Sequence, residues 1–175
     1  VRQILEVPVL AIGDGSSPIL SYNYGAKNYK GVKKAIRIIT CAGVLYTLVA
    51  WLFVFLFPSF FIHIFNDDSK LLQIAIPAIH MYFFAFVFQA FQYCGQTVFK
   101  SLNKKKQAIF FSILRKVIIV VPLTYIMPLY LHMGTDGVFL AEPVSNVIGG
   151  TLCFVTMLVT IMPELKRMEN ENVIK

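Results

Sequence analysis

Long apolar stretches separated by short polar connections dominate the pattern of this sequence. Four stretches of about 20 to 30 residues lack Asp, Glu, Lys and Arg; they lie between Arg37 and Asp67, Lys70 and Lys100, Lys116 and Asp136, and Glu142 and Glu164. A helix rises about 1.5 Å per residue and needs about 20 apolar residues to cross a hydrocarbon core. The pattern therefore predicts an all-α protein with at least four membrane spans.

The N-terminal segment predicts a fifth span of a different kind. It carries Glu6 and Asp14, and its middle is a Gly-Asp-Gly-Ser-Ser-Pro run over residues 13–18. Such residues weaken a helix, and unpaired backbone groups are tolerated in a membrane only where protein or a wet cavity surrounds them. We therefore expect an interrupted span that ends near Tyr24.

The complete prediction is a polytopic membrane bundle of about five transmembrane helices over residues 1–163, followed by a cytoplasmic tail over 164–175. The predicted spans are 3–24, 38–62, 71–99, 109–131 and 138–162. Pro77 is expected to kink the third span, and Pro163 to end the fifth. Residues 66–69 and 134–137 are predicted to form turns on the outer side.

Composition and charge agree with a membrane protein and assign it an orientation. The chain is 57% hydrophobic and 14% charged, whereas soluble domains average about 25% charged residues. Most of the Lys and Arg side chains lie near residues 27–37, near residues 100–116 and in the tail. Basic connections alternate with connections that are poor in Lys and Arg, which predicts that the basic connections and the C-terminus are cytoplasmic. This distribution argues against nucleic acid as a partner.

A stripe of polar residues in the third span is the first candidate site. Tyr82, Gln92, Tyr93 and Gln96 fall within about 60° of Gln89 on a helical projection. An unpaired amide in lipid is costly, so this stripe should point into the bundle. It either lines a substrate cavity or holds helices together by hydrogen bonds.

Asp14 is the second candidate, because an ionisable residue within a span indicates function by default. Its Gly- and Ser-rich surroundings are typical of a transporter's broken helix, where backbone is exposed to a substrate or an ion. The alternative is that Asp14 caps a half-helix that begins near Ser16.

The fifth span carries a third group of polar residues on one face. Glu142 either reaches water near the outer loop or joins Asn146 in a proton relay. On the same face, Ser145, Gly149 and Cys153 form a small-xxx-small seam, which is typical of close helix packing.

Signatures of enzymes and of metal or cofactor binding do not occur in the sequence. There is no phosphate-binding loop, no HExxH and no G-x-S-x-G, so neither catalytic residues nor a resident cofactor is predicted. The three cysteines lack metal-ligand spacing and are interpreted as packing residues.

The run Pro-Ile-Leu-Ser-Tyr-Asn-Tyr-Gly-Ala over residues 18–26, preceded by Gly-Asp-Gly over 13–15, resembles the multidrug and toxic compound extrusion (MATE) family. Residues 112–116, 121–122, 127–128 and 141–145 resemble the last two helices of that family more weakly. The resemblance implies that the chain corresponds to helices eight to twelve of a twelve-helix, two-lobe transporter. The partner of these helices would be an N-terminal lobe of the same polypeptide.

The resemblance also implies a function. Members of the family export amphipathic organic cations and drugs by alternating access, in exchange for Na⁺ or H⁺. Asp14, Tyr82, Gln89, Gln92 and Gln96 would then face the central cleft, within the lipid bilayer of a bacterial cell membrane. Some members carry a cation-site acid in the third-from-last helix, and residues 71–99 contain none.

Two other functions are compatible with the sequence. A lipid-linked saccharide flippase of similar build would need a basic or strongly polar cavity, and the predicted cavity residues are not basic. A membrane assembly subunit without transport activity would have no partner lobe.

Overall fold

The structure is a computed structural model that describes residues 2–63, 69–129 and 134–173, with side chains described for 2–63, 75–129 and 136–172. The described backbone is almost entirely helical. Its α-helices are α1 (Arg2–Gly25), α2 (Tyr29–Leu56), α3 (Pro58–His63), α4 (Ser69–Phe83), α5 (Phe86–Ser101), α6 (Lys105–Ile113), α7 (Val121–Leu129) and α8 (Gly134–Val173). A π-helical segment, Leu114–Val120, joins α6 to α7.

Five segments of the described chain are long and apolar enough to cross a membrane. They are Arg2–Gly25, Tyr29–Leu56, Ala75–Ser101, Lys105–Leu129 and Asp136–Asn172. The predicted all-α bundle of five spans is therefore confirmed.

Two tight turns close the lysine-rich end of the bundle. The α1–α2 turn places Lys27 at φ 57°, and the side chain of Asn28 caps α2 by accepting a hydrogen bond from the Gly31 N–H at 3.1 Å. The α5–α6 turn places Asn103 at φ 60°. Both turns lie in predicted basic connections, and we call this the basic end of the bundle.

Helices α5 and α8 pack at the centre of the bundle, and α1, α2 and α6 surround them. The main core contains Leu20, Val98, Cys153 and Met157, all almost fully buried. Large apolar side chains such as Leu45 cover the outer surface. A surface of this kind is suited to lipid rather than water.

The predicted interruption of the first span is wrong, because α1 is a continuous helix of 24 residues. Ser16 Oγ donates a hydrogen bond to the Ile12 carbonyl within the helix. Gly13 is buried against Thr97 of α5, where a Cβ would lie 2.7 Å from the Thr97 hydroxyl oxygen. Packing against α5 thus holds this weak sequence in helical form.

The break in the third span lies after Pro77. Pro77 is inside α4, and the helix is interrupted between Phe83 and Phe86. The second span also differs from its prediction, since α2 begins at Tyr29 and a short α3 follows it.

The fifth span does not end at Pro163. Helix α8 continues through this proline to Val173, because Leu165 is buried in the core and Glu164 pairs with Lys104. The predicted loop at 134–137 is helical in the structure and forms the start of α8. Most of the predicted turn at 66–69, namely 66–68, lies outside the described residues.

Candidate functional site

Four charged side chains meet between α1, the π-helical segment and α8. We call Arg2, Glu6, Arg115 and Glu142 the charged cluster; their side chains are between 7% and 21% exposed. Two carry a positive and two a negative charge, so the cluster is neutral when all four are ionised. Burial of charge is tolerated when it is paired and hydrogen-bonded in this way.

Arg2 uses its whole guanidinium group within the cluster. Its Nη2 donates to Glu142 Oε1 at 2.6 Å and to Gln89 Oε1 at 3.2 Å, and its Nε donates to Glu6. Its Nη1 donates to Tyr82 Oη at 2.8 Å, and the guanidinium carbon lies 5.0 Å from the centre of the Tyr82 ring. Arg2 therefore ties the start of α1 to α4, α5 and α8.

Gln89 binds both Glu6 and Arg2 of the cluster through its amide. Its Nε2 donates to Glu6 Oε1 at 2.6 Å and to Tyr93 Oη at 3.2 Å, while its Oε1 accepts from Arg2. Gln89 is almost completely buried. Its amide satisfies charged groups that would otherwise be costly to bury.

Glu142 lies between two arginines. Arg115 Nη2 is 3.8 Å from the same Glu142 oxygen that accepts from Arg2, and Arg115 Nη1 donates to Asn146 Oδ1. Arg115 belongs to the π-helical segment, and π-bulges often mark functional positions. The aliphatic part of Arg115 packs on Gly149, where a Cβ would lie 2.8 Å from Arg115 Cγ.

The balance of charge determines what the cluster can do chemically. If Glu142 were protonated, the four side chains would carry one uncompensated positive charge in a setting of low dielectric. Proton uptake would therefore favour a rearrangement that moves Arg2 or Arg115 away. A group of this kind can couple a proton to a conformational change.

The predicted stripe of the third span is divided in the structure. Tyr82 and Gln89 both bind Arg2, although the break between α4 and α5 separates them. Gln92 is buried against α6, where its Nε2 donates to the Phe111 carbonyl at 3.4 Å and its Oε1 has no partner among the described residues. Gln96 faces two surface cavities.

Asp14 lies on the surface of the described bundle, with 72% of its side chain exposed. Its Oδ1 is 3.8 Å from Nζ of Lys100, which is 55% exposed. Asp14 lines a small cavity of about 70 Å³ with Tyr93, Gln96 and Lys100. The structure thus brings Asp14 and Gln96 together and separates both from the charged cluster.

A larger cavity, of about 450 Å³, lies between α5 and α6 at the basic end. We call it the lysine groove; it is lined by Gln96, Lys100, Lys105, Ala108, Ile109 and Ser112. Two lysines therefore flank Gln96, one of the predicted cleft residues, so this groove is basic. The turn between α5 and α6 brings these lysines to the cavity.

Ion pairs join the part of α8 beyond Pro163 to both turns of the basic end. Glu164 pairs with Lys104 of the α5–α6 turn, and Glu169 pairs with Lys33 of α2. Lys104 is thus paired, whereas Lys100 and Lys105 remain at the groove.

Sequence reasoning missed three members of the charged cluster. Arg115 belongs to the predicted basic connection near residues 100–116, and neither Arg2 nor Glu6 is among the predicted site residues. A signal for Arg115 was available, because it lies inside the predicted span 109–131. A buried cation there requires an acid from another span, and Glu142 was the candidate.

The described residues contain no group of three His, Cys, Asp or Glu side chains placed to hold a metal ion. Cys94 and Cys153 are buried in the main core, as expected for packing residues, whereas Cys41 is exposed. His80 packs on Phe55, with 4.7 Å between ring centres.

A family model named MatE matches residues 1–126 of the chain. The search of curated proteins finds no match.

Solved structures of similar fold are transporters. An inward-facing multidrug resistance MATE family transporter of the MOP superfamily aligns with a TM-score of 0.86 and 18% identity over 94% of this chain and 38% of that one. The MATE multidrug transporter DinF-BH aligns with a TM-score of 0.83 and 26% identity over 90% of this chain and 35% of that one.

A third structure of similar fold is a MOP superfamily transporter from Pyrococcus furiosus, whose reported binding-pocket polarity is reversed. It aligns with a TM-score of 0.85 and 19% identity, over 94% of this chain and 37% of that one. The chain thus spans less than two fifths of the length of these three relatives.

Proposed function

The chain belongs to the MatE family, and we propose that it forms the C-terminal lobe of a cation-coupled antiporter that exports amphipathic molecules by alternating access. Its five apolar helices are suited to a lobe that moves as a unit within the bilayer. The proposed activity is the binding of substrate and coupling ion and their movement across the membrane, and it includes no enzymatic step.

The observation that carries the proposal is the charged cluster. Ionisable side chains within membrane spans are costly and usually mark ion or substrate pathways. Glu142 is shared by two arginines, so a proton on this carboxylate would remove the negative charge that both of them face. Because Arg2 already occupies the space between Glu6 and Glu142, this geometry favours H⁺ over Na⁺ as the coupling ion.

The proposed orientation puts the basic end in the cytoplasm, in agreement with the positive-inside rule. The C-terminus is then cytoplasmic, and the charged cluster lies away from that side of the membrane. The proposed location is the cell membrane of a bacterium, where the protein is an integral multi-pass component.

The substrates proposed are amphipathic molecules, with organic cations as one class. Asp14 and Gln96 share a cavity on the surface of the described bundle, where an N-terminal lobe would complete a cleft. A carboxylate and an amide there can contact a cationic head group, and the nearby Tyr93 ring can contact an apolar body.

Glu142→Gln in the full-length gene product tests the coupling. Reconstituted protein is assayed for uptake of a cationic dye under a pH gradient, and for dye counterflow driven only by a dye gradient. We expect pH-driven transport to fall at least about tenfold, since allosteric coupling energies span about 5- to 150-fold. Counterflow should persist, because substrate contacts are unchanged.

The matched control is Glu171→Gln, which removes an exposed carboxylate that pairs with Arg167 at the basic end. It should leave both assays at wild-type rates. If Glu142→Gln retained pH-driven transport, Glu142 would not be the coupling residue. Equal loss of counterflow would assign it to substrate handling or to folding instead.

A lipid-linked saccharide flippase is the second candidate, and the lysine groove favours it. Such a substrate is anionic, and two lysines flank Gln96 in that groove. Counterflow assays with a cationic dye and with a lipid-linked saccharide separate the two candidates, because only a true substrate exchanges against itself across the membrane.

A further inference from the structure

We propose that the lysine groove is a binding site for the head group of an anionic phospholipid. The groove joins an apolar wall to two cationic side chains and is distinct from the charged cluster. This inference does not depend on transport, so it holds or fails independently of the proposed antiport activity.

The shape of the groove suits a lipid at a membrane surface. Lys105 is the first residue of α6, and Ser112 lies seven residues further along the helix, which corresponds to a depth of about 10 Å. Ala108 and Ile109 form an apolar wall between them. The groove therefore offers charge at its mouth and apolar surface toward the bilayer interior.

The charges at the mouth are available to a ligand. Among the described residues, Lys100 forms an ion pair only with Asp14, at 3.8 Å, and ion pairs this exposed contribute little. Lys105 is exposed and has no ion-pair partner among the described residues. Lys104 is already paired with Glu164 and lies outside the cavity lining.

The start of α6 adds to the positive potential of the groove. Lys104 is the N-cap residue of α6 and makes no side-chain capping hydrogen bond. The first N–H groups of a helix lack intrahelical partners and attract anions. Lys105 is at this same helix end, so a phosphate near it would face both charge and free N–H donors.

Two uncharged polar side chains complete the lining. Gln96 and Ser112 both line the groove and are half-buried, and neither makes a side-chain hydrogen bond within the described part of the chain. They can bind the polar linkage below a phosphate. An anionic phospholipid matches these donors and the apolar wall together, whereas a free phosphate would leave the wall unused.

The test measures lipid binding to the full-length gene product by native mass spectrometry, with phosphatidylglycerol and phosphatidylcholine as probes. Wild-type protein should bind phosphatidylglycerol about tenfold more tightly than phosphatidylcholine. The double variant K100Q/K105Q should lose this preference. K100R/K105R should retain it, because the charges remain.

The matched control is K34Q/K106Q, which removes two exposed lysines of the basic end that do not line the groove. It should bind phosphatidylglycerol within about twofold of wild type, as expected for general surface charge. Equal losses in both glutamine variants would overturn the proposal. Displacement of the lipid by millimolar phosphate would also overturn it. An unchanged preference for phosphatidylglycerol in K100Q/K105Q would overturn it as well, and would mean that another segment of the protein covers the groove.

Discussion

The charged cluster and the lysine groove both place charged side chains beside a glutamine of α5, yet they differ in balance and burial. In the cluster, two arginines and two glutamates compensate one another, and Gln89 binds Arg2 and Glu6. In the groove, Lys100 and Lys105 flank Gln96, and the described residues place one exposed carboxylate, that of Asp14, 3.8 Å from Lys100. The charged side chains of the cluster already have their partners, whereas those of the groove are open to a ligand.

The same contrast predicts how each region responds to loss of charge. Removing one member of a buried group of compensating charges leaves another charge buried without a counter-charge, which is costly in folding free energy. Removing an exposed lysine changes little in the fold. The free energy of folding should therefore suffer far more from a change in the charged cluster than from one in the lysine groove.

Arg115→Met should destabilise the protein strongly. The change leaves Asn146 Oδ1 without its donor and gives the cluster one excess negative charge, and breaking a buried pair costs about 3–5 kcal/mol. Thermal unfolding of the full-length gene product in detergent measures the effect. Lys116→Met is the control, since Lys116 is adjacent but exposed. Similar melting temperatures for the two variants would show that the cluster is not a compensated unit.

Gly150→Ala should destabilise the protein by about 1–3 kcal/mol, the usual cost of overpacking. A Cβ at Gly150 would overlap the Phe88 carbonyl oxygen, so α8 would have to move away from α5. The adjacent Gly149 supports Arg115, and the cluster would loosen as well. The melting temperature again reports the change.

Gly15→Ala is the control for this packing prediction, on the exposed face of α1 next to Asp14. A Cβ there meets nothing within 4 Å. Alanine favours helix by about 1 kcal/mol over glycine, so this variant should be as stable as wild type or more stable. If Gly15→Ala destabilised the protein as much as Gly150→Ala, the predicted difference between the packed face of α8 and the exposed face of α1 would be wrong.

The parts of the fold that hydropathy determines could be predicted from the sequence. Apolar length predicted four of the five spans, and the lysines located the α5–α6 turn between residues 101 and 105. Local propensity failed where packing dominates. Gly13 is helical because Thr97 fills the space beside it, and α8 passes Pro163 because Leu165 is buried. Such contacts between distant helices leave no local signal in the sequence.

The candidate site could be predicted only in part, because it too depends on contacts between distant helices. Tyr82, Gln89, Glu142 and Asn146 were identified as polar groups within spans, and all four contact arginines of the cluster. Arg2 was missed because it lies at the boundary of the first predicted span, where a basic residue is ordinary, and Arg115 because it was grouped with the basic connection near residues 100–116. Only the three-dimensional arrangement relates them to the acids.

Asp14→Asn should have the smallest effect on stability, below about 0.5 kcal/mol, because its pair with Lys100 is exposed. Its effect should instead appear in selectivity, as about a twofold weaker apparent affinity for a cationic dye with little change for a neutral one. Lys100→Gln should act in the opposite direction, since it removes a like charge beside Asp14. Dye concentration series in reconstituted vesicles measure both variants. Equal changes for cationic and neutral dyes would show that Asp14 is not part of the substrate pathway. Opposite shifts in the apparent affinity for the cationic dye in the two variants would show that the substrate passes the exposed surface around Asp14 and Lys100.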